Sequence, residues 1–293
     1  MQRAAGLVIR PENPFHRPAP ARAPAPPLLS PYAGRITALF RAMRGEVLDV
    51  FKAVKPKPVR SIATCLHKVD DLYQSDAFNS LSIEGYRVSP ELIQQVREGR
   101  WNPAKHQQDL NAVNALAAKG YMEAFRFVKA SIRTVLEGKG TAPAVVRRDY
   151  PRWYQALFTE SVRAGLMETK HLVGHRKERV FIRGSRHVPL PPSAVHAAMA
   201  ALFDALQEEQ EAIVRAVLGH FLLGFIHPYQ DGNGRMARFV MNVMLVTGGY
   251  RWTVVRLMRR EKYMDALETA SVENNIVPFA KFIREEMSVD WSR

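Results

Sequence analysis

From Ala212 to Ile226 the chain is apolar almost throughout, and the run stops at His227-Pro228. Its length and content fit a helix buried on all sides. Pro228 can neither extend that helix nor leave the preceding residue comfortably helical, so His227 falls at a helix exit. Beyond it Met236, Phe239, Val240, Val243 and Met244 recur at helical spacing, and a second core helix is predicted to begin close to Arg235. Any fold of this chain must therefore hold two core helices joined by the short stretch from Pro228 to Gly234.

That stretch is rich in chemistry. Gly232 and Gly234 permit backbone conformations closed to other residues, and the first amides of the new helix have no acceptor of their own. Such a place binds phosphate. Arg235 and Arg238 share one face of the first turns, where they can reach the outer phosphates of a nucleotide; Asp231 supplies a hard oxygen for a magnesium ion. His227 is left as the candidate base. An ordinary helix-loop-helix turn explains a lone histidine or a lone Gly-x-Gly, but not an acid, an amide and two arginines at these offsets.

The stretch His227-Pro228-Tyr229-Gln230-Asp231-Gly232-Asn233-Gly234-Arg235-Met236-Ala237-Arg238 resembles the signature of the Fic family, H-x-F-x-(D/E)-G-N-G-R-x-x-R. It departs only at Tyr229, where Phe is usual. The resemblance implies an all-α, Fic-type helical bundle with a small β-hairpin flap, and transfer of AMP from ATP to a Ser, Thr or Tyr hydroxyl of a protein. It implies His227 as the catalytic residue, and Asp231, Gly232, Asn233, Gly234, Arg235, Arg238 and Tyr263 as nucleotide-binding residues. Asp231 would hold Mg2+, or alternatively Mn2+. Tyr263 matches a position that often lines the adenine pocket; a place in the core is its other reading.

Upstream, Ser80-Leu81-Ser82-Ile83-Glu84-Gly85 places Ser80 and Glu84 on one helix face, with Gly85 suited to end the helix. This resembles the inhibitory S/T-x-x-x-E-G/N motif of self-inhibited Fic proteins, in which the glutamate pairs with the second signature arginine, here Arg238. A solvated glutamate at a helix end is the plainer alternative. Between Gly174 and Pro192 a β-prone run, Arg179 to Arg183, meets a turn at Gly184 and a return to Val188, a hairpin signal. In the family such a hairpin holds the target peptide, which nominates Val180, Phe181, Ile182 and Arg183 as the target flap.

Composition bounds the rest. With 293 residues and 47% hydrophobic content the chain can bury a sizeable core. One cysteine, Cys65, excludes an intrachain disulfide and suits a reducing compartment. No apolar run approaches the roughly 18 residues of a membrane span, so the expectation is a cytoplasmic protein without membrane contact. The net charge of +14 and pI near 10.1 favour acidic partners. The basic residues are scattered, however, and specific nucleic-acid binding is not expected.

Three units follow along the chain. Residues 1 to 34, with eight prolines between Pro11 and Pro31, read as a Pro-rich disordered tail. Residues 35 to 140 read as an N-terminal helical region carrying the inhibitory helix. Predicted helices there are Arg35 to Val54, Ile62 to Glu84, one opened by Ser89-Pro90, and Trp101 to Arg133, with Gly138 to Gly140 as a breaker. Residues 141 to 293 read as the catalytic core and closing helices, including a helix of open limits that starts within Trp252 to Met258, and segments at Tyr263 to Leu267 and Pro278 to Ile283 that resemble the family's closing helices. The expected partners are ATP and a protein with an accessible hydroxyl, and the resemblance admits a homodimer. Rival functions are removal of AMP or use of another nucleotide at the same site, a non-catalytic protein-binding module, and a basic nucleic-acid-binding helical protein.

Overall fold

The computed structural model describes residues 30–101 and 110–291; the Pro-rich stretch before Ser30 and the start of the helix predicted from Trp101 lie outside the described residues. Among the described residues the chain is helical, with no strand.

Helices α8 (Ala212–Ile226) and α9 (Asn233–Thr247) pack against each other at the centre. Their burial follows from composition: α8 is apolar on every face, and α9 buries every residue from Arg235 to Val246. Helices α1 (Pro31–Phe51) and α7 (Pro192–Glu208) cover α8, while α5 (Leu110–Leu136) and α6 (Ala142–Arg163) cover α9. The closing pair α10 (Arg260–Glu273) and α11 (Val277–Met287) also reaches α8. One continuous apolar core runs from Ile36 in α1 to Ile283 in α11.

The N-terminal helices begin where local chemistry allows. α1 starts at Pro31 rather than Arg35, because proline at the first helical position lacks only an amide that would have no acceptor. The predicted helix Ile62 to Glu84 is two, α2 (Ile62–Asp71) and α3 (Tyr73–Ile83), divided at Leu72; α2 is capped by Ser61, whose hydroxyl accepts from Thr64 N at 3.2 Å. Ser89 caps α4 (Pro90–Arg97) in the same way, from Leu92 N at 3.2 Å.

Two expectations are corrected. The helix predicted from Trp252 to Met258 is extended chain followed by a single 3-10 turn at Leu257–Arg259. The cause is Asn242 of α9: its amide accepts from Thr253 N at 2.7 Å and donates to Thr253 O at 3.0 Å, so it pairs the passing backbone as a strand would. The hairpin from Arg179 to Val188 is a loop with a turn at Gly184. Its return half meets residues 179–183 only in the turn, where Ser185 N donates to Ile182 O at 3.1 Å, and is otherwise held elsewhere: Glu268 accepts from Ser185 Oγ and from Arg186 N at 2.8 Å, and His187 Nε2 lies 2.9 Å from Phe225 O. Val180, Phe181 and Ile182 thus have no strand partner, Arg183 lies in the turn with Gly184, and Phe181 is 76% exposed.

Candidate active site

The loop between α8 and α9 is shaped by its own residues. His227 ends α8 in the left-handed region, at φ 54°, with its amide still donating to Leu223 O at 2.9 Å. Asn233 closes the loop from the other side: its side chain accepts from Tyr229 N at 2.9 Å and donates to Tyr229 O at 2.8 Å. Both of its polar groups are thereby committed to the loop backbone. Gly232 precedes α9 at φ 83°, and a Cβ there would also overlap the Phe158 ring. The first intrahelical bond runs from Met236 N to Gly232 O at 2.9 Å, which leaves the amides of Asn233, Gly234 and Arg235 at the positive end of the helix.

The signature's departure at Tyr229 is absorbed by the core. Its ring stacks on Tyr154 at 3.5 Å with planes 5° apart and lies beside Tyr150, whose hydroxyl meets His175 Nε2. The larger ring is therefore packed within an aromatic cluster.

His227 is half-buried, and that burial pushes its imidazole down to about 4, with the Arg176 charge adding to the shift and the Gly224 carbonyl opposing it. The sequence alone suggested a value near about 6.5. The ring is neutral at neutral pH. Since its Nδ1 faces the Gly224 carbonyl at 3.3 Å, an acceptor only, the proton belongs on Nδ1 and Nε2 carries the lone pair.

Both arginines are buried. Arg235 lies between the rings of Phe158 and Tyr86, 4.8 Å and 5.1 Å from its guanidinium, and donates to Asp231 Oδ2 at 2.8 Å. Arg238 donates from Nε to Ser80 Oγ at 2.8 Å and from Nη2 to Ser80 O at 3.1 Å and Glu84 Oε1 at 2.5 Å. Burial would pull the Arg238 guanidinium down; the Glu84 carboxylate outweighs it and holds the group fully charged. Nε and Nη1 of Arg235 and Nη1 of Arg238 are buried donors without a hydrogen-bond partner. Unmade bonds from buried charged donors are costly, so these guanidiniums could take an anion as a further partner. Gly234 gives room for this arrangement, since a side chain there would overlap the Glu84 carboxylate.

Asp231 keeps an accessible carboxylate, which accepts from Gly232 N at 2.5 Å as well as from Arg235. Among the described residues no group of three metal-binding side chains occurs. A single accessible carboxylate beside two arginines is nevertheless compatible with the manner in which magnesium is held together with phosphates. Tyr263 is fully buried, its hydroxyl 2.7 Å from His220 Nε2, and its ring packs on Phe279 and Phe282. It stands behind Arg238 as a core residue. The extended segment 179–183 joins the site through Glu178, which accepts from Gln230 Nε2 at 3.2 Å.

Three residues were missed in the sequence. Arg176 is buried and donates to His227 O at 2.7 Å, Glu178 O at 2.9 Å and Leu190 O, while its amide donates to Pro228 O at 2.9 Å. Tyr86 and Phe158 enclose Arg235. Nothing in local spacing marks Arg176 or Phe158; Tyr86 could have been noticed as the residue after the helix-ending Gly85, a position whose side chain often folds back on its helix.

The Fic/DOC family profile matches residues 148–245, from within α6 to α9. A protein adenylyltransferase Fic from Culex quinquefasciatus is 34% identical over 114 residues, 38% of this chain and 22% of that protein. One of the same name from Nematostella vectensis is 35% identical over 113 residues, 37% of this chain and 26% of its own length. The chain spans about a quarter of the length of these curated relatives. Among solved structures, the C. elegans Fic-1 fragment aligns at a TM-score of 0.61 with 19% identity, over 87% of this chain and 71% of that one. A Fic domain containing signaling protein from Bacteroides thetaiotaomicron aligns at 0.59 with 15% identity, over 87% and 92%. The Fic/DOC match over residues 148–245 thus contains the loop between α8 and α9, and the helical fold around it is similar to that of solved Fic structures.

Proposed function

We propose that the chain is a protein adenylyltransferase that moves AMP from ATP to a Ser, Thr or Tyr hydroxyl of a protein, and that Glu84 holds it in check. The observation that carries this reading is the convergence of unpartnered donors on Arg235 and Arg238 with the neutral His227 at one loop. An anion site beside a proton acceptor is what adenylyl transfer requires. The two relatives similar over 114 and 113 residues are both named protein adenylyltransferase Fic.

In this scheme the target oxygen attacks the α-phosphorus, the bond to the β-phosphate breaks, and pyrophosphate leaves. The hydroxyl proton passes to His227 Nε2. The triphosphate's negative charge raises the imidazole's proton affinity once it is bound, against the depression imposed by burial. Free amides at the start of α9 and the donors of Arg235 meet charge on the leaving phosphates; Asn233 keeps the loop in register through Tyr229. A magnesium ion at Asp231 would supply further charge neutralisation between the phosphates.

Glu84 occupies the donor of Arg238 that the γ-phosphate would need, and Ser80 fixes the same guanidinium from Nε. The wild-type chain is accordingly expected to be nearly silent. A desolvated, charge-assisted contact contributes about 1.5–3 kcal/mol, so Glu84→Gly should raise labelling by about 10- to 100-fold. The test is incubation with ATP labelled at the α-phosphate, followed by identification of labelled protein. Glu84→Gly should transfer label and Glu84→Gly with His227→Ala should not. Equal labelling by wild type and Glu84→Gly across magnesium and manganese would reduce α3 to scaffold.

A further inference from the structure

The end of α3 touches more of the anion site than Glu84 does. Glu84 caps the helix, Gly85 turns the chain at φ 93°, and two bonds close the turn: Gly85 N to Ser82 O at 3.0 Å and Tyr86 N to Leu81 O at 3.1 Å. This reversal folds the residue after the glycine back along its helix. The Tyr86 ring consequently lies over the Arg235 guanidinium, and its hydroxyl comes within 3.4 Å of Asp231 Oδ2. Asp231 Oδ2 thus faces two donors, Arg235 and Tyr86, where a metal ion would need it.

Resting on the adenylyl-transfer reading, we propose that Tyr86 is a second restraining residue, acting on Asp231 and Arg235 while Glu84 acts on Arg238, so that α3 closes both halves of the nucleotide site. The two contacts are separable because the helix is anchored independently of the Glu84 side chain. Asn79 Oδ1 accepts from Leu257 N at 2.7 Å, Ile83 O accepts from Arg260 Nε at 3.0 Å, and Asp76 accepts from the buried Tyr121 hydroxyl at 2.6 Å. Removing the Glu84 carboxylate leaves all three in place, and with them the turn that aims Tyr86.

The test is ATP binding to the full chain by calorimetry, with and without Mg2+, for Glu84→Gly alone and combined with Tyr86→Phe or Tyr86→Ala. A cation–ring contact and a long hydrogen bond together predict that adding Tyr86→Ala to Glu84→Gly tightens Mg–ATP by about 3- to 10-fold. Tyr86→Phe keeps the ring and removes only the oxygen facing Asp231, so its gain should appear with Mg2+ and vanish without it. If Tyr86→Ala lowers the melting temperature too far for titration, the isosteric Tyr86→Phe decides. Affinity in the double variants equal to or weaker than in Glu84→Gly overturns the proposal, as does absence of ATP binding from every variant. Tyr86-dependent affinity without any transfer of label would instead retain the restraint and refute adenylyl transfer; label transfer that Tyr86 leaves untouched would do the reverse.

Discussion

Replacing Arg176 by Met removes a guanidinium that holds three carbonyls, of His227, Glu178 and Leu190, while keeping most of the side chain's volume. Each bond to a buried acceptor contributes about 1 kcal/mol net, so the loss should total about 3 kcal/mol, part of it returned because the buried charge disappears as well. Among the described residues no other donor bonds the Leu190 and His227 carbonyls, while the Arg176 amide reaches Pro228 O at 2.9 Å independently of its side chain. The stability loss is measured by urea denaturation. Function is measured as transfer of labelled AMP in the Glu84→Gly background, at a temperature where both variants remain folded. Labelling should fall by at least about tenfold, because displacement of a proton acceptor by about an ångström is enough for such losses. Arg176→Lys should recover little, since one ammonium cannot span three carbonyls. The acid limb of the pH–labelling profile should also move to higher pH, because the Arg176 charge contributes to holding His227 down. Stability within about 0.5 kcal/mol of the parent, together with unchanged labelling and pH profile, would refute the positioning role.

Asp231→Ala should abolish the enhancement of ATP binding by Mg2+ while leaving metal-free binding unchanged or tighter, because Arg235 loses its intramolecular partner; calorimetry with an equal magnesium effect in both proteins would move Asp231 to a structural role. Acidification should destabilise the fold. Burial holds His227 and His175 down to about 4 and His220 down to about 3, below the usual histidine value, so the unfolded chain binds protons between about pH 6.5 and 4 that the folded chain refuses. Asp76, pushed up to about 6 by burial, acts in the opposite direction over the lower part of that window, leaving a net difference of about two protons, three minus one. Stability should therefore fall by about 2–3 kcal/mol per pH unit near pH 5, less to the extent that the partly exposed His175 is screened. Denaturant midpoints that are flat or rising from pH 7 to 5 would contradict this.

What the sequence determined by itself was whatever short-range pattern controls. The apolar run Ala212 to Ile226, the break at His227-Pro228 and the periodic residues after Arg235 were sufficient for two core helices and the short turn between them, since burial on all faces and proline geometry act locally. Ser89 marks a helix start for the same reason: the amide it satisfies lies within the first helical turn. Tertiary structure decided the rest. The run Trp252 to Val255 is extended because Asn242, from another element, supplies its hydrogen bonds, and residues 179–188 form no hairpin because Glu268 and Phe225 capture the returning chain. The protonation of His227 likewise depends on what buries it, and the clamp at Arg176 and the enclosure of Arg235 by Tyr86 and Phe158 join residues far apart in the chain. Spacing reports which side chains share a helix face; which distant groups desolvate a charge, or take up a carbonyl, is fixed only when the helices pack.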